Sequence, residues 1–288
     1  MPAKLQKSAL LIAGPTASGK SALALKQAAA RNGVIINADS MQVYRELRIL
    51  SARPTPAEEE AAPHRLFGHV DGAASYSVAR WLDDASREVG RCWEEGRLPI
   101  LCGGTGLYFR AMEEGLAELP PIPAEIRERW RASSLNLHEE LEKRDPEAAA
   151  RLKPGDRQRL TRALEVIEAT GRPLSQWQKE AQSVPLLRDV AVERMFLAVD
   201  RAELYARAER RFDQMMEAGA LDEVRNLPTL PQGSPVLKAI GVPELRAHLA
   251  GEIALDEAVA AAKTATRNYI KRQLTWWRPR LPGWALVP

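Results

Sequence analysis

Eight consecutive residues, Gly14-Pro15-Thr16-Ala17-Ser18-Gly19-Lys20-Ser21, have the G-x-x-x-x-G-K-[ST] spacing of a loop that wraps a polyphosphate in backbone N–H groups. The two glycines let the backbone approach closely, and a helix starting here would add unpaired N–H donors, a partial positive charge and the full charge of Lys20. The Ser21 hydroxyl suits a Mg2+ ion carried by the phosphates. Taken alone, the loop favours a kinase or nucleotidase, because most such loops hold ATP or GTP during phosphoryl transfer. Two further segments carry chemistry: Asp39-Ser40-Met41-Gln42 and Gly103-Gly104-Thr105-Gly106. A carboxylate at a strand end can take a proton as a general base or hold Mg2+ through water, and Asp39 fits both roles.

The elements that would position these groups can be read around them. Residues 9–13, 34–38 and 98–102 are short apolar runs that read as buried strands. Residues 21–30 and 78–96 read as helices between them, so the chain predicts an α/β fold with a parallel sheet wound with helices. Ligands of such sheets lie beyond the carboxyl ends of the strands, which predicts that the phosphate loop, Asp39 and Thr105 converge on one cleft. After Met112 a turn rich in proline (Pro120, Pro121, Pro123) leads into amphipathic helical segments at 124–132, 137–144 and 156–170, the last stopped by Gly171 and Pro173. No strand-like alternation occurs between about 115 and 190. A strand at 195–199 returns the chain to the core, followed by helices at 202–218, 221–227, 239–249 and 255–278. The expected organisation is a discontinuous catalytic core, 1–114 with 190–288, and an inserted all-helical domain, 115–189.

Composition narrows the class. The 288 residues are 45% apolar and 27% charged, as in soluble globular proteins. Cys92 and Cys102 are too few for a disulfide framework and lack metal-site spacing, which fits a reducing cytoplasm. No apolar run is long enough for a signal-peptide core or a membrane span. The net charge of +3 is small but unevenly distributed. Residues 258–288 hold Lys263, Arg267, Lys271, Arg272, Arg278 and Arg280 with no acid, and the first three recur every fourth residue on one helix face. Arg151, Lys153, Arg157, Arg159 and Arg162 form a second cluster with only Asp156 against it. Each cluster reads either as a nucleic-acid surface or as a solvated face.

Five segments together resemble the tRNA dimethylallyltransferases: Gly14 to Ser21, Asp39-Ser40-Met41-Gln42-Val43-Tyr44, Gly103-Gly104-Thr105-Gly106-Leu107-Tyr108, Gln158-Arg159-Leu160-Thr161-Arg162-Ala163-Leu164-Glu165, and Thr266-Arg267-Asn268-Tyr269-Ile270-Lys271-Arg272-Gln273-Leu274-Thr275-Trp276. The resemblance spans nearly the whole chain. It implies a P-loop NTPase-like core and transfer of a dimethylallyl group from dimethylallyl diphosphate to N6 of the adenosine just 3′ of the anticodon. The exocyclic amine is a weak nucleophile that must shed a proton, so Asp39 is the implied base, with Thr105 beside it to bond the adenosine or orient the base. The implied diphosphate site is Gly14, Pro15, Thr16, Ala17, Ser18, Gly19, Lys20 and Ser21 with Arg211 and Arg267, and Mg2+ on Ser21. The implied contacts to the tRNA anticodon stem-loop are Asp39, Ser40, Met41, Gln42, Thr105, Arg127, Gln158, Arg159, Leu160, Thr161 and Arg162. The basic stripe of the last helix becomes an expected phosphate surface, while Trp276 and Trp277 either stack on bases or pack. A bacterial-type, monomeric, cytoplasmic enzyme with no membrane partner is implied, lacking the zinc-finger extension of larger eukaryotic relatives.

The chain departs from the family pattern in places. Ile49-Leu50-Ser51-Ala52-Arg53-Pro54 stands where Ile-Gly-Thr-Ala-Lys-Pro is usual, His64-Arg65 replaces paired histidines, and Ile240-Gly241-Val242-Pro243-Glu244 replaces Ile-Gly-Tyr-Lys-Glu. Three other readings stay open on sequence: an adenylate isopentenyltransferase acting on free AMP or ATP, a P-loop small-molecule kinase, and an RNA-binding nucleotide switch.

Overall fold

A computed structural model describes residues 7–117, 119–180 and 183–288. The chain divides into two compact units, Met1–Met112 with Leu187–Pro288, and Glu113–Leu186. In chain order the elements are β1 (Ser8–Ala13), α1 (Lys20–Arg31), β2 (Gly33–Asn37), α2 (Pro56–Ala61), β3 (His64–Arg65), α3 (Val78–Glu94), β4 (Leu98–Gly103) and α4 (Gly106–Glu114). The helices α5 (Ala124–Ala132), α6 (Leu137–Arg144), α7 (Pro146–Arg151), α8 (Arg157–Thr170) and α9 (Leu174–Glu180) follow. The chain closes with β5 (Ala191–Leu197), α10 (Arg201–Glu217), α11 (Ala220–Arg225), α12 (Val242–Leu249), α13 (Leu255–Trp277) and β6 (Ala285–Val287).

The first unit is built on a six-stranded sheet in the order β3-β2-β4-β1-β5-β6, with every pairing parallel. Strands covered by helices on both faces are apolar throughout rather than alternating. Ala9 to Ala13 are all buried, as is every residue of β4, and Leu10, Ile12, Ile35, Ile100 and Leu197 share one core. Losing one of these large side chains to alanine costs about 2–5 kcal/mol.

β5 starts four residues before the strand expected at 195–199 and ends two residues earlier. Its first half is polar because it lies beside β1 where the sheet meets solvent: Glu193 pairs with Arg31 at 2.6 Å. The helix expected at 239–249 begins at Val242, after a 3-10 turn at Pro235–Lys238 and Gly241 at φ +96°. Short elements escaped the periodicity reading, among them α2, whose Thr55 and Glu58 form a reciprocal capping box, and the strands β3 and β6.

The second unit is helical, with its own core of Trp130, Leu137, Leu141, Leu160 and Leu164. Asp145 is buried and binds α7 to α9, accepting the Ala148 N–H at 3.0 Å and the Ser175 hydroxyl at 2.9 Å. α8 is capped at its start by Asp156, which accepts the Arg159 N–H, and stops at Gly171 in the left-handed conformation. Among the described residues no helix is long and apolar enough to cross a membrane.

Candidate active site

The phosphate loop links β1 to α1, so the order strand, loop, helix required by the motif is present. Ala17 and Gly19 take positive φ, 64° and 96°, the backbone alternation that lets successive N–H groups turn toward one anion. Ser18 closes the turn by donating its N–H to Pro15 O at 3.3 Å, and Lys20 Nζ folds back to the same carbonyl at 3.3 Å. Burial pulls the Lys20 pKa below the ordinary lysine value; Cys102 and the Asp39 carboxylate act against that shift, and Arg211 adds to it. Cys102 itself is pushed up to about 12 by burial, so it stays a thiol and donates to Lys20 O at 3.6 Å.

Asp39 follows β2 directly, and Asn37, the last and fully buried residue of that strand, fixes it. Asn37 Oδ1 accepts the Asp39 N–H at 2.8 Å while Asn37 Nδ2 donates to Asp39 O at 2.9 Å and to Leu66 O at 3.1 Å. The Asp39 carboxylate turns back over its own loop to accept the Met41 N–H at 2.9 Å. Beyond β4, Thr105 donates its N–H to Ala38 O at 3.1 Å, and its hydroxyl accepts the Ser40 N–H at 2.9 Å. Thr105 therefore ties the two strand-end loops together through Ser40. The glycines before it permit the close approach: a Cβ on Gly103 would lie 2.1 Å from the Ala38 backbone, and one on Gly104 would lie 2.4 Å from Gln273 Nε2.

These loops face α10 and α13 across a cleft of about 240 Å³. Thr16, Asp39, Ser40 and Met41 line it from the sheet side, and Arg211, Tyr269 and Arg272 from the helices. Leu50, Phe212, Met215 and Ile240 give it an apolar wall. Arg211 donates to the Thr16 hydroxyl. Burial lowers the Arg211 pKa and Asp39 counters that shift, while burial followed by the Asp39 charge raises the Tyr269 pKa. Gln273 bridges the two loops from α13, accepting the Thr16 N–H at 2.9 Å and donating to Gly104 O at 3.0 Å. No group of three or more His, Cys, Asp or Glu gathers among the described residues. Lys20 and Ser21 line a separate pocket with Gln42, Glu58 and His64, and a Mg2+ ion arriving with a polyphosphate would find the Ser21 hydroxyl as its ligand there.

Thr16, Asp39, Ser40, Met41 and Arg211 are brought together. Gln42 is turned toward the neighbouring loop, donating to Ser51 O at 3.0 Å and Ala52 O at 2.7 Å. Arg267 is held by Glu209 and by Thr264, the latter at 2.7 Å, and Arg272, one turn and a residue on, lines the cleft instead. The basic stripe expected as a phosphate surface is largely an inter-helix seam, because Lys263 pairs with Asp213 at 2.6 Å and Arg267 with Glu209. Those two acids are four residues apart on α10, matching the spacing of the two bases on α13. In the helical unit Arg127, Gln158 and Arg159 are exposed, but Leu160 and Thr161 are buried and Leu160 belongs to the unit's core. Trp276 and Trp277 pack: Trp277 meets Phe109, Phe196 and Trp284, and Trp276 lies against Gly106 and under Arg280.

The departures also acquire positions. Arg53 donates to the Tyr44 and Arg45 carbonyls, at 3.3 and 3.0 Å, and packs on Gly68. Ser51 lines the cleft and donates to Leu47 O at 2.7 Å. Val242 and Pro243, the changed residues of the third segment, open α12 between the retained Gly241 and Glu244, whose N–H and carboxylate bond at 2.9 Å. Asn37, Gln273 and Glu223 were not singled out by sequence. Glu223 of α11 accepts three consecutive backbone N–H groups, from Arg48 at 2.6 Å, Ile49 at 2.8 Å and Leu50 at 2.9 Å. Only the position of Gln273 inside the Thr266 to Trp276 segment offered a signal for any of them.

Comparison with known proteins follows the same lines. The IPP transferase family model matches residues 42–280 and the isopentenyl transferase model residues 7–67. A tRNA dimethylallyltransferase of Azorhizobium caulinodans is 56% identical over 287 residues, 97% of this chain and 92% of its own length. One of Methylobacterium nodulans is 58% identical over 277 residues, 94% of this chain and 91% of its own. Among solved structures, the full-length tRNA isopentenylpyrophosphate transferase from Bacillus halodurans superposes with a TM-score of 0.66 at 36% identity, over 95% of this chain and 87% of that one. A eukaryotic dimethylallyltransferase, seen in crystallographic snapshots of its action on tRNA, gives a TM-score of 0.80 at 28% identity, over 94% of this chain and 70% of that one.

Proposed function

We infer, from the premise that this chain belongs to the tRNA dimethylallyltransferase family, that it transfers a dimethylallyl group from dimethylallyl diphosphate to N6 of an adenosine in tRNA, just 3′ of the anticodon, and releases diphosphate. The observation that carries this reading is the meeting of Thr16, Asp39 and Arg211 on one cleft. A loop built for phosphates, a carboxylate at a strand end and a buried arginine are what this displacement requires.

The chemistry assigns the groups. Cleavage of the allylic C–O bond leaves negative charge on the diphosphate, which the loop N–H groups, Lys20 and Arg211 stabilise without rearrangement. Arg211 now rests on the Thr16 hydroxyl and would turn from it to a phosphate oxygen. Mg2+ held through Ser21 would supply further neutralisation of the leaving group. The apolar wall of Leu50, Phe212, Met215 and Ile240 suits the hydrocarbon end of the donor. Asp39 takes the proton from the amine as the N–C bond forms. Thr105 acts through Ser40, holding the acceptor loop, rather than on the base itself.

An adenine whose N6 is to react cannot stay stacked, so the nucleotide is extruded into the cleft and read by edge contacts from Ser40 and Met41. Exposed Arg127, Gln158 and Arg159 suit contacts of the helical unit with the anticodon stem-loop. A monomer in a reducing compartment is the setting we propose, in keeping with two free, buried cysteines.

The test is to supply labelled dimethylallyl diphosphate, or labelled ATP, with unmodified tRNA, with AMP, or with no acceptor. Label carried from the allyl donor into tRNA supports the reading. Label entering AMP, or phosphate released from ATP without tRNA, points to the free-nucleotide prenyltransferase or the kinase and overturns it.

A further inference from the structure

We propose that Gln273 is a positioning residue that sets the distance between the leaving-group cradle and the acceptor loop by clamping Thr16 to Gly104. The inference rests on the transfer reaction proposed above. Strands β1 and β4 are hydrogen-bonded as far as the pair Ala13 and Gly103, and the sheet register ends there. Everything the reaction needs lies past that point, on loops. Gln273 continues the connection with its side chain: Oε1 accepts the Thr16 N–H at 2.9 Å and Nε2 donates to Gly104 O at 3.0 Å.

The clamp has no slack. Gln273 is 6% exposed, both ends of its amide are bonded, and a Cβ on Gly104 would lie 2.4 Å from its nitrogen. Its helix is anchored on both sides of it. Arg267 pairs with Glu209 one and a half turns before, and Trp277 is buried among aromatic rings one turn after.

Both clamped residues border the reacting groups. Thr16 belongs to the phosphate loop and carries Arg211 on its hydroxyl. The same Gly104 Cβ position lies 3.5 Å from Asp39 Oδ2, and Thr105, next in sequence, holds Ser40. The route Thr16, Gln273, Gly104, Thr105, Ser40 thus joins the donor side of the cleft to the base. A displacement of about 1 Å between reacting groups costs on the order of 10²-fold in rate, so a residue that fixes this separation acts on turnover rather than on binding.

A protonated carboxyl group has one acceptor and one O–H donor, like the amide, whereas the ionised group has no donor and faces the Gly104 carbonyl. Burial raises a carboxyl pKa toward neutrality, so Gln273→Glu can be switched by pH in place. Single-turnover transfer to tRNA at saturating dimethylallyl diphosphate is measured for wild type and Gln273→Glu between about pH 6 and pH 9. The variant-to-wild-type ratio is expected to approach one on the acid side and to fall about 10- to 100-fold on the alkaline side. Gln273→Leu, which removes the clamp without adding charge, is expected to lose a similar factor in kcat at every pH while its Kd for the diphosphate moves less than about threefold. A wild type that transfers to tRNA, together with a ratio that stays flat across pH or a Gln273→Leu variant with wild-type kcat, overturns the inference alone. A wild type that transfers nothing to tRNA overturns the reaction and the inference with it.

Discussion

Asn37 grips Asp39 by both faces of its peptide, accepting its N–H at 2.8 Å and donating to its carbonyl at 2.9 Å through one buried amide. The carboxylate is thereby held on a backbone that cannot rotate away, and Trp81 Nε1 secures the Asn37 carbonyl at 2.8 Å from the other side. Removing the Asp39 side chain costs the loop its bond to the Met41 N–H but leaves the backbone bonds to Asn37 in place.

Asp39→Ala is accordingly expected to fold with near-native stability and to lose about two to four orders of magnitude in single-turnover rate. Its affinity for dimethylallyl diphosphate should be unchanged or tighter, because the lost carboxylate opposed an anion beside Lys20 and Arg211. Stopped-flow transfer and calorimetric titration check the two halves separately. A near-wild-type rate would remove Asp39 from the chemistry.

Lys20 gives a pH dependence with opposite signs for stability and for binding. Burial lowers its pKa from the ordinary 10.5, so between the lowered value and 10.5 the unfolded chain holds a proton that the folded chain has released. The Lys20 contribution to the stability of the ligand-free protein therefore rises with pH across that window, whereas the contributions of the buried Cys102 thiol and Tyr269 phenol, whose pKa values are raised, fall. Binding of the diphosphate needs the ammonium and weakens over the same window, by up to ~10-fold per pH unit. The difference between wild type and Lys20→Arg, in denaturant melts and in diphosphate titrations across the alkaline range, should show both trends.

Salt dependence separates the basic residues that face solvent from those joined to carboxylates. Arg159→Ala is expected to weaken tRNA binding and to reduce the slope of log K against log salt by about one. Arg159 is exposed on the first turn of α8 and pairs with Asp156, the residue that caps that turn, at 3.1 Å. Arg267→Ala should leave the slope unchanged and instead lower the thermal midpoint, since its guanidinium joins α13 to α10 through Glu209. Equal slopes for Arg159→Ala and wild type would place the RNA elsewhere on the molecule.

What could be read from sequence follows from the range of the forces involved. The phosphate loop is local, with strand, turn glycines and helix contiguous, so Gly14 to Ser21 declared itself. Buried parallel strands declared themselves as apolar runs, whereas only the second half of β5 did, because its first residues meet solvent and carry Glu193 and Arg194. The pairing of Lys263 and Arg267 with Asp213 and Glu209 depends on two helices some fifty residues apart lying side by side, which charge counting along one helix cannot see. Gln273 acts through two long-range amide bonds, to Thr16 and Gly104, and Asn37 adds one to Leu66 to its local grip on Asp39, so the local pattern of either residue shows only part of its role. Leu160 was swept into a binding segment by its neighbours, although helical geometry turns it away from Arg159 and into the core.

The carboxylate of Glu223 on the N–H groups of Arg48, Ile49 and Leu50 has a meaning beyond the loop it holds. Three successive backbone donors form the kind of concavity that attracts a free anion. The chain fills this receptor with an acid of its own, and Leu50, the third donor, lines the cleft. A tethered carboxylate competes at an effective concentration on the order of millimolar or higher, so phosphate from solution or from an RNA strand is turned away there. On the function proposed above the phosphate loop is the receptor left open, and an arriving diphosphate would meet one address rather than two.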